Sequence, residues 1–313
     1  MKNIIITGAS GLVATELVLL LQEKTDFNLF LLSTNIEQIK SRHHGDRVRC
    51  FTIEEFSHYL PQSGKSFDFC LHTAFARSSD GRSLVESLLY QRTLLELVKQ
   101  NDVKHFVNIS SQSIYGKRST PLWKEDTPPD PDYLYAFGKY TSCLMTELML
   151  QESKTKWLNV RLCSVCENAR FMRIFVQNVI EGKPIHLTAP DQHCSFIDVR
   201  DVATALYSLL DKAENAKWNR VYNLGANIVN SIREVADVVK RVGEKEYGLK
   251  NVTITEEQSD NHVRIGMDAS LFMRTFDWKP EYDMEKMIRS LFEMLINVNG
   301  GGYPRSWRIV YDL

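Results

Sequence analysis

Tyr135 and Lys139 stand four residues apart, a spacing that sets a phenol and an ammonium on one face of a helix. A cation beside a phenol favours the phenolate and brings its pKa down from about 10 toward the range of a general acid or base. Any helix can carry such a pair by chance, so its meaning depends on what accompanies it. Ser110, Ser111 and Ser113 fall in the run from Ile109 to Gly116, where a hydroxyl could hold a substrate oxygen while Tyr135 moves the proton; serines in such places also serve as plain turn formers. The third group is Thr7-Gly8-Ala9-Ser10-Gly11-Leu12-Val13-Ala14. Small residues there let a backbone approach a pyrophosphate, and a helix that begins at Leu12 offers free N–H groups to the anion. The spacing is Gly-x-x-Gly-x-x-Ala rather than the common Gly-x-Gly-x-x-Gly/Ala, and a turn needed only for chain geometry is the alternative.

These groups have chemistry to do only if the chain sets them along one edge. Short apolar runs at Asn3 to Thr7, Asn28 to Ser33, Arg47 to Thr52, Phe67 to His72, Lys104 to Ser110 and Trp157 to Cys163 predict strands. Helical periodicity fills Leu12 to Gln22, Ser83 to Lys99 and Tyr133 to Gln151. Strand and helix in alternation imply a parallel sheet covered on both faces, with ligands at the carboxyl ends of its strands. The second half is more mixed. Helices are expected at Phe171 to Glu181, Val199 to Leu210, Ile232 to Val242 and Met284 to Leu295, with strands at Pro184 to Leu187 and Arg220 to Leu224. The predicted class is α/β: a doubly wound, Rossmann-type parallel sheet over residues 1–165, completed by 196–228, with 166–313 mainly a smaller α/β substrate lobe.

Composition narrows the function. A 43% apolar and 25% charged chain of 313 residues folds into a globular protein rather than a disordered one. Thirty-eight basic against 39 acidic residues leave a net charge of −1, so no general attraction to nucleic acid is expected. Apolar runs such as Leu17 to Leu21 fall far short of the roughly 20 residues that cross a bilayer. The opening Met-Lys-Asn-Ile-Ile-Ile-Thr-Gly lacks the apolar stretch of a signal peptide, and a cytosolic setting follows as the expectation. The six cysteines are scattered, and Cys163-x-x-Cys166 has no second ligand pair, so reduced thiols and no metal are expected.

In order and spacing, the chain resembles the extended short-chain dehydrogenases/reductases, in the group of NAD(P)-dependent epimerases and dehydratases that includes UDP-galactose 4-epimerase. The resemblance rests on Thr7 to Ala14, Phe69 to Phe75, Ser110 to Gly116, Tyr135 to Lys139, Phe196 to Ala203, Val221 to Gly225 and Phe276 to Pro280. It implies Ser111 as the substrate-orienting hydroxyl, Tyr135 as the catalytic acid/base and Lys139 on the nicotinamide ribose. It implies cofactor contacts from Gly8, Ser10, Gly11, Leu12 and Val13 at the glycine turn, and from Ser33, Thr34, Asn35, Thr52 and Ile53 after the second and third strands. Thr73, Ala74, Phe75 and Arg77, then Ile109, Cys163 and Val165, are the remaining contacts so implied. Hydride transfer on a sugar, expected to be nucleotide-linked, is the implied chemistry, and homodimerisation through Ser83 to Lys99 and Tyr133 to Gln151 comes with it.

Departures from the family pattern shape the detail. Where an acidic residue usually holds the ribose of NAD, this chain has Ser33-Thr34-Asn35, with Lys40 and Arg42 following; NADP is permitted and slightly favoured, although Asn35 could serve NAD. Thr52 stands where Asp commonly contacts adenine. Cys194 takes the place of an arginine that faces the substrate diphosphate, which Arg264, Arg170 or Arg173 could replace. Ser164 stands where an Asn often meets substrate, and Gln112-Ser113 replace the Asp-Glu of dehydratases, which disfavours dehydration. Epimerisation or ketone reduction remains, with Ser111, Gln112, Ser113, Ser164, Arg170, Arg173, Cys194 and Arg264 as substrate candidates. The alternatives are an NADPH-dependent reductase of a small carbonyl compound and a cofactor-sensing protein without turnover. His72 reads as a structural residue rather than a participant.

Overall fold

The computed structural model describes residues 1–78, 80–117, 122–257 and 264–296. The first half alternates as β1 (Asn3–Thr7), α1 (Leu12–Lys24), β2 (Asn28–Leu32), α2 (Ile36–Arg42), β3 (Val48–Phe51) and α3 (Ile53–Gln62). It continues with β4 (Phe69–His72), α4 (Gly81–Gln100), β5 (His105–Ser111), α5 (Leu134–Leu150) and β6 (Lys156–Leu162). The second half runs β7 (Ser164–Val165), α6 (Arg170–Ile180), β8 (Ile185–Leu187), β9 (His193–Ile197), α7 (Val199–Lys212) and β10 (Val221–Leu224). It ends with β11 (Val229–Ser231), α8 (Ile232–Glu246), β12 (Ile254–Glu256), α9 (Ser270–Phe276) and α10 (Met284–Ile296).

Seven parallel strands form the main sheet in the order β10-β6-β5-β4-β1-β2-β3. Strand alternation explains why both faces are covered. Ile4, Ile6, Leu29, Leu31, Val107 and Ile109 enter one core with α1 and α7, while Ile5, Phe30, Leu32, Cys70 and Phe106 enter another with α3 and α4. Because successive side chains point to opposite faces, a strand such as Phe69–His72 is buried at every position. The order reverses between β1 and β4, the switch point where open α/β sheets bind ligands. Beyond the sheet, β11-β9-β7 and β12-β8 make two small sheets, and α6, α8 and α10 pack on one another.

Two helices absent from the sequence expectation are short and start on side-chain caps. Asn35 accepts the Gln38 amide to open α2, and Thr52 forms a capping box with Glu55 to open α3. Pro61 sits inside the last turn of α3, which breaks its helical pattern in the sequence.

Candidate active site

The turn after β1 is fixed by contacts that leave no room for a side chain. Gly8 has φ +67°, and a Cβ there would lie 2.8 Å from the Ala74 Cα and N. Thr73 Oγ1 donates to the Thr7 carbonyl at 2.6 Å, so the ends of β1 and β4 are tied together. Gly11 donates to the Gly8 carbonyl at 2.8 Å and opens α1 with no side-chain cap and no acidic residue in the first turn. No acidic side chain in the first turn offsets the positive end of that helix. His72 lies beneath this turn, 2.9 Å through Nδ1 from Thr7 Oγ1; burial pushes its pKa down to about 3, and it stands outside the lining of the cleft described below.

The opposite side of the same cleft carries Ser111, Tyr135 and Lys139. β5 ends on Ser111, whose Oγ caps a short 3-10 turn by accepting the Ser113 amide at 3.1 Å. On α5, Lys139 is 6% exposed and donates to the Ile109 carbonyl at 2.8 Å; burial lowers its pKa to about 8. Burial instead raises the Tyr135 phenol above its ordinary value, opposed by the Arg77 guanidinium and by a hydrogen bond from Ser111. Helical spacing points to Lys139 as the cation that lowers Tyr135. The Arg77 guanidinium, from beyond the end of β4, also acts to lower the phenol, and the Lys139 ammonium donates to the Ile109 carbonyl.

One cleft of about 660 Å³ joins the two groups, lined by Gly11, Leu12, Val13 and Ala14 at one end and by Ser111, Tyr135 and Lys139 at the other. Thr73, Phe75, Arg77, Ile109, Cys163 and Val165 line it between them. Ser33, Thr34 and Asn35 follow β2 and Thr52 and Ile53 follow β3, outside that lining but on the same strand edge. There Ser33 Oγ donates to Ser10 Oγ at 3.3 Å and Arg42 donates to the Ser10 carbonyl at 3.3 Å. The side chains of Asn35 and Thr52 serve as helix caps.

Beyond Ser111, Gln112 Nε2 donates to Ser164 Oγ at 2.9 Å, and Gln112, Ser113, Ser164 and Cys194 line the cleft together. Burial pushes the Cys194 thiol up to about 11. Arg170 and Arg173 are not brought there. They line a separate groove with Ile174, Gln177, Asn178 and Leu295, because α6 turns Met172, Phe175, Val176 and Val179 inward. Arg264 is exposed beside the cleft and its neighbour Ile265 lines it. Residues outside the sequence expectation complete the wall: Trp123, Phe171 and Phe196, with Lys117 and Asp132 paired at 3.2 Å. Near Lys117 and Asp132, Gly116 has φ +72° and a Cβ there would lie 2.1 Å from the Asp130 carbonyl oxygen, so only glycine lets the two segments approach. Among the described residues no group of three His, Cys, Asp or Glu side chains is placed to hold a metal; Cys163 packs instead against Gly225.

The profile of the NAD dependent epimerase/dehydratase family matches residues 4–225. The chain belongs to that family. This family member is an enzyme of the extended short-chain dehydrogenase/reductase type. It is 24% identical to a UDP-glucose 4-epimerase of Dictyostelium discoideum, covering 97% of this chain and 98% of that one. Identity to a dTDP-D-glucose 4,6-dehydratase of Mus musculus is 20%, covering 93% and 88%. In fold it is similar to the UDP-glucose 4-epimerase of Thermotoga maritima solved with UDP-glucose, at TM-score 0.76, 18% identity and coverage of 96% and 100%. It is also similar to a dTDP-glucose 4,6-dehydratase of Bacillus anthracis solved with NAD, at TM-score 0.75, 20% identity and coverage of 94% and 96%. An NAD(P) dinucleotide fits the residues of this epimerase/dehydratase-family cleft: glycines whose Cβ would close the cradle, an uncapped helix N-terminus, and a buried ammonium at the far end. Among the described residues no helix is long and apolar enough to cross a membrane.

Proposed function

We propose that the protein is an NAD(P)-dependent epimerase or ketoreductase of a nucleotide-linked sugar, with Ser111, Tyr135 and Lys139 as its working groups. The observation that carries this is the single cleft joining Gly11–Ala14 to Ser111, Tyr135 and Lys139. When bound, the dinucleotide supplies the hydride acceptor or donor that no side chain can provide. Tyr135 takes or gives the proton of the reacting hydroxyl, and Arg77 and Ser111 hold its phenolate within reach despite burial. Lys139 would hold the ribose of a bound dinucleotide. Ser111 orients the substrate oxygen, and the Gln112–Ser164 pair receives sugar hydroxyls. An amide and a hydroxyl at Gln112 and Ser113 offer no carboxyl pair to remove water, which favours epimerisation or reduction over dehydration.

The cofactor read from the β2 edge is NADP. Ser33, Thr34 and Asn35, none of them a carboxylate, directly follow β2, and the Arg42 guanidinium lies against Ser10. Homodimerisation is supported by the exposed apolar side chains Val85 and Leu89 on α4 and Leu134, Phe137, Leu144 and Leu148 on α5. A second reading, reduction of a small carbonyl compound without a nucleotide, is favoured by Cys194 in the cleft and by the placement of Arg170 and Arg173 outside it.

The test is product analysis by NMR over a panel of nucleotide sugars and small ketones, with dinucleotide binding followed by calorimetry. Epimerisation gives a new stereoisomer without net consumption of dinucleotide, whereas reduction consumes NADPH mole for mole. Tyr135→Phe lowers turnover by about 10²–10⁴-fold with binding kept. A Phe variant as active as the parent, or tight dinucleotide binding with no turnover of any panel member, refutes the proposal.

A further inference from the structure

The ring of Phe75 sits over the Lys139 ammonium, with Nζ 4.3 Å from the ring centroid. The same ring meets Tyr135 edge-on, the two centroids 6.1 Å apart and their planes at 78°. One aromatic side chain from the end of β4 therefore touches both members of the acid–base pair. Next to Lys139 on α5 is Gly138, a residue that a helix interior ordinarily disfavours. A Cβ at that position would lie 3.1 Å from Phe75 Cζ and 3.4 Å from Leu84 Cδ2, so the ring occupies the space a side chain would need.

The charge on Lys139 has little other support. Besides the Ile109 carbonyl, the titratable groups that act on it or feel it are Cys143 on its own helix and His72 from β4, and Tyr135 and Arg77 line the same cleft. Burial keeps His72 uncharged and raises the thiol of Cys143, and none of these groups is a carboxylate. The Phe75 face is an element that attracts a cation, and such a contact strengthens when water is excluded.

We propose that Phe75 is a positioning residue that keeps the Lys139 ammonium charged and fixed beside Tyr135, its ring standing where a carboxylate or water would otherwise be, and that Gly138 is the space that admits it. This rests on the acid–base reading of Tyr135 and Lys139. Burial works in the opposite direction on Lys139, toward about 8, so the ring acts where the proton is least securely held.

The test is a titration of Lys139 itself, which needs no substrate and so fails or succeeds separately from that reading. The protein is labelled with ¹³C at the lysine ε-carbon, and the Lys139 signal is assigned by its loss in Lys139→Met. Phe75 is then replaced by mono-, di- and trifluorophenylalanine, which drain the ring face while nearly keeping its size, and by Leu. The Lys139 midpoint falls with each fluorine, by about one pH unit over the series, and the other lysines stay put. In the Gly138→Ala background, where the added methyl displaces the ring, the dependence on fluorine disappears. A Lys139 midpoint that is the same across the fluorine series, or a dependence that persists undiminished in the Gly138→Ala background, overturns the proposal.

Discussion

Lys139→Met turns the buried ammonium into a measurable quantity of stability. Lys139 is 6% exposed, and burial takes it from an ordinary 10.5 to about 8. That gap corresponds to about 3 kcal/mol of differential protonation energy. The folded pKa is lower than the unfolded one, so below about 8 both states carry the proton and the full cost of burying it is present. Between about 8 and 10.5 the unfolded chain binds the proton and the folded chain does not, so wild-type stability rises with pH across that window. Methionine has no charge to bury and no such rise. At pH 7 the variant gains up to about 3 kcal/mol, less about 1–2 kcal/mol for the Ile109 carbonyl left without its donor. The carbonyl and packing terms are the same at every pH, as are the titrations of the buried cysteines. The difference between variant and wild type in urea unfolding therefore isolates the ammonium: the advantage of Met shrinks by about 3 kcal/mol from pH 7 to 10.5. If Phe75 holds the proton as inferred, the window in Phe75→Leu opens about a unit lower. A variant-minus-wild-type difference that stays flat with pH refutes the desolvated ammonium and with it the electrostatics of the site.

Three shorter tests bear on the rest of the cleft. Gly8→Ala places a side chain at φ +67° with its Cβ 2.8 Å from the Ala74 backbone; thermal melts show a loss of about 2–4 kcal/mol and NAD(P) no longer raises the melting temperature, whereas unchanged dinucleotide affinity contradicts the cradle. Arg42→Ala weakens NADPH about 10–100-fold in fluorescence titration and leaves NADH unaltered, since only a 2′-phosphate asks for the guanidinium; an equal loss for both dinucleotides removes the NADP assignment. Leu148 is 67% exposed on α5, so Leu148→Glu halves the mass seen by light scattering while leaving the melting temperature of a monomer nearly unchanged; a wild type already monomeric at micromolar concentration disposes of the dimer.

What was legible in the sequence was local or periodic. Gly8 announces itself because the β1 turn holds it at φ +67°, a backbone that favours glycine, and Phe69–His72 reads as a strand because a parallel sheet buries both of its faces. α2 and α3 were not legible because each depends on one cap, and the capping residues, Asn35 and Thr52, read equally well as cofactor contacts. Arg170 and Arg173 could have been excluded from the cleft by α6's own stripe, since Met172, Phe175, Val176 and Val179 mark the inward face and leave both arginines outside it.

The electrostatics of Tyr135 lie beyond any local pattern. Four-residue spacing guarantees that a phenol and an ammonium share a helical face, yet it says nothing of which carbonyl claims the ammonium or which cation reaches the phenol. Those are decided by Ile109 on β5 and by Arg77 beyond β4, two elements that meet α5 only once the sheet has formed. The same holds for Phe75 and Gly138. Each alone reads as an ordinary residue in a strand end or a helix, and only the 3.1 Å approach between them makes the glycine intelligible. A substitution at either position is therefore expected to act through the other, and Phe75→Leu combined with Gly138→Ala should cost less than the sum of the two alone. Full additivity of the two would mean that the glycine is there for some reason other than the ring.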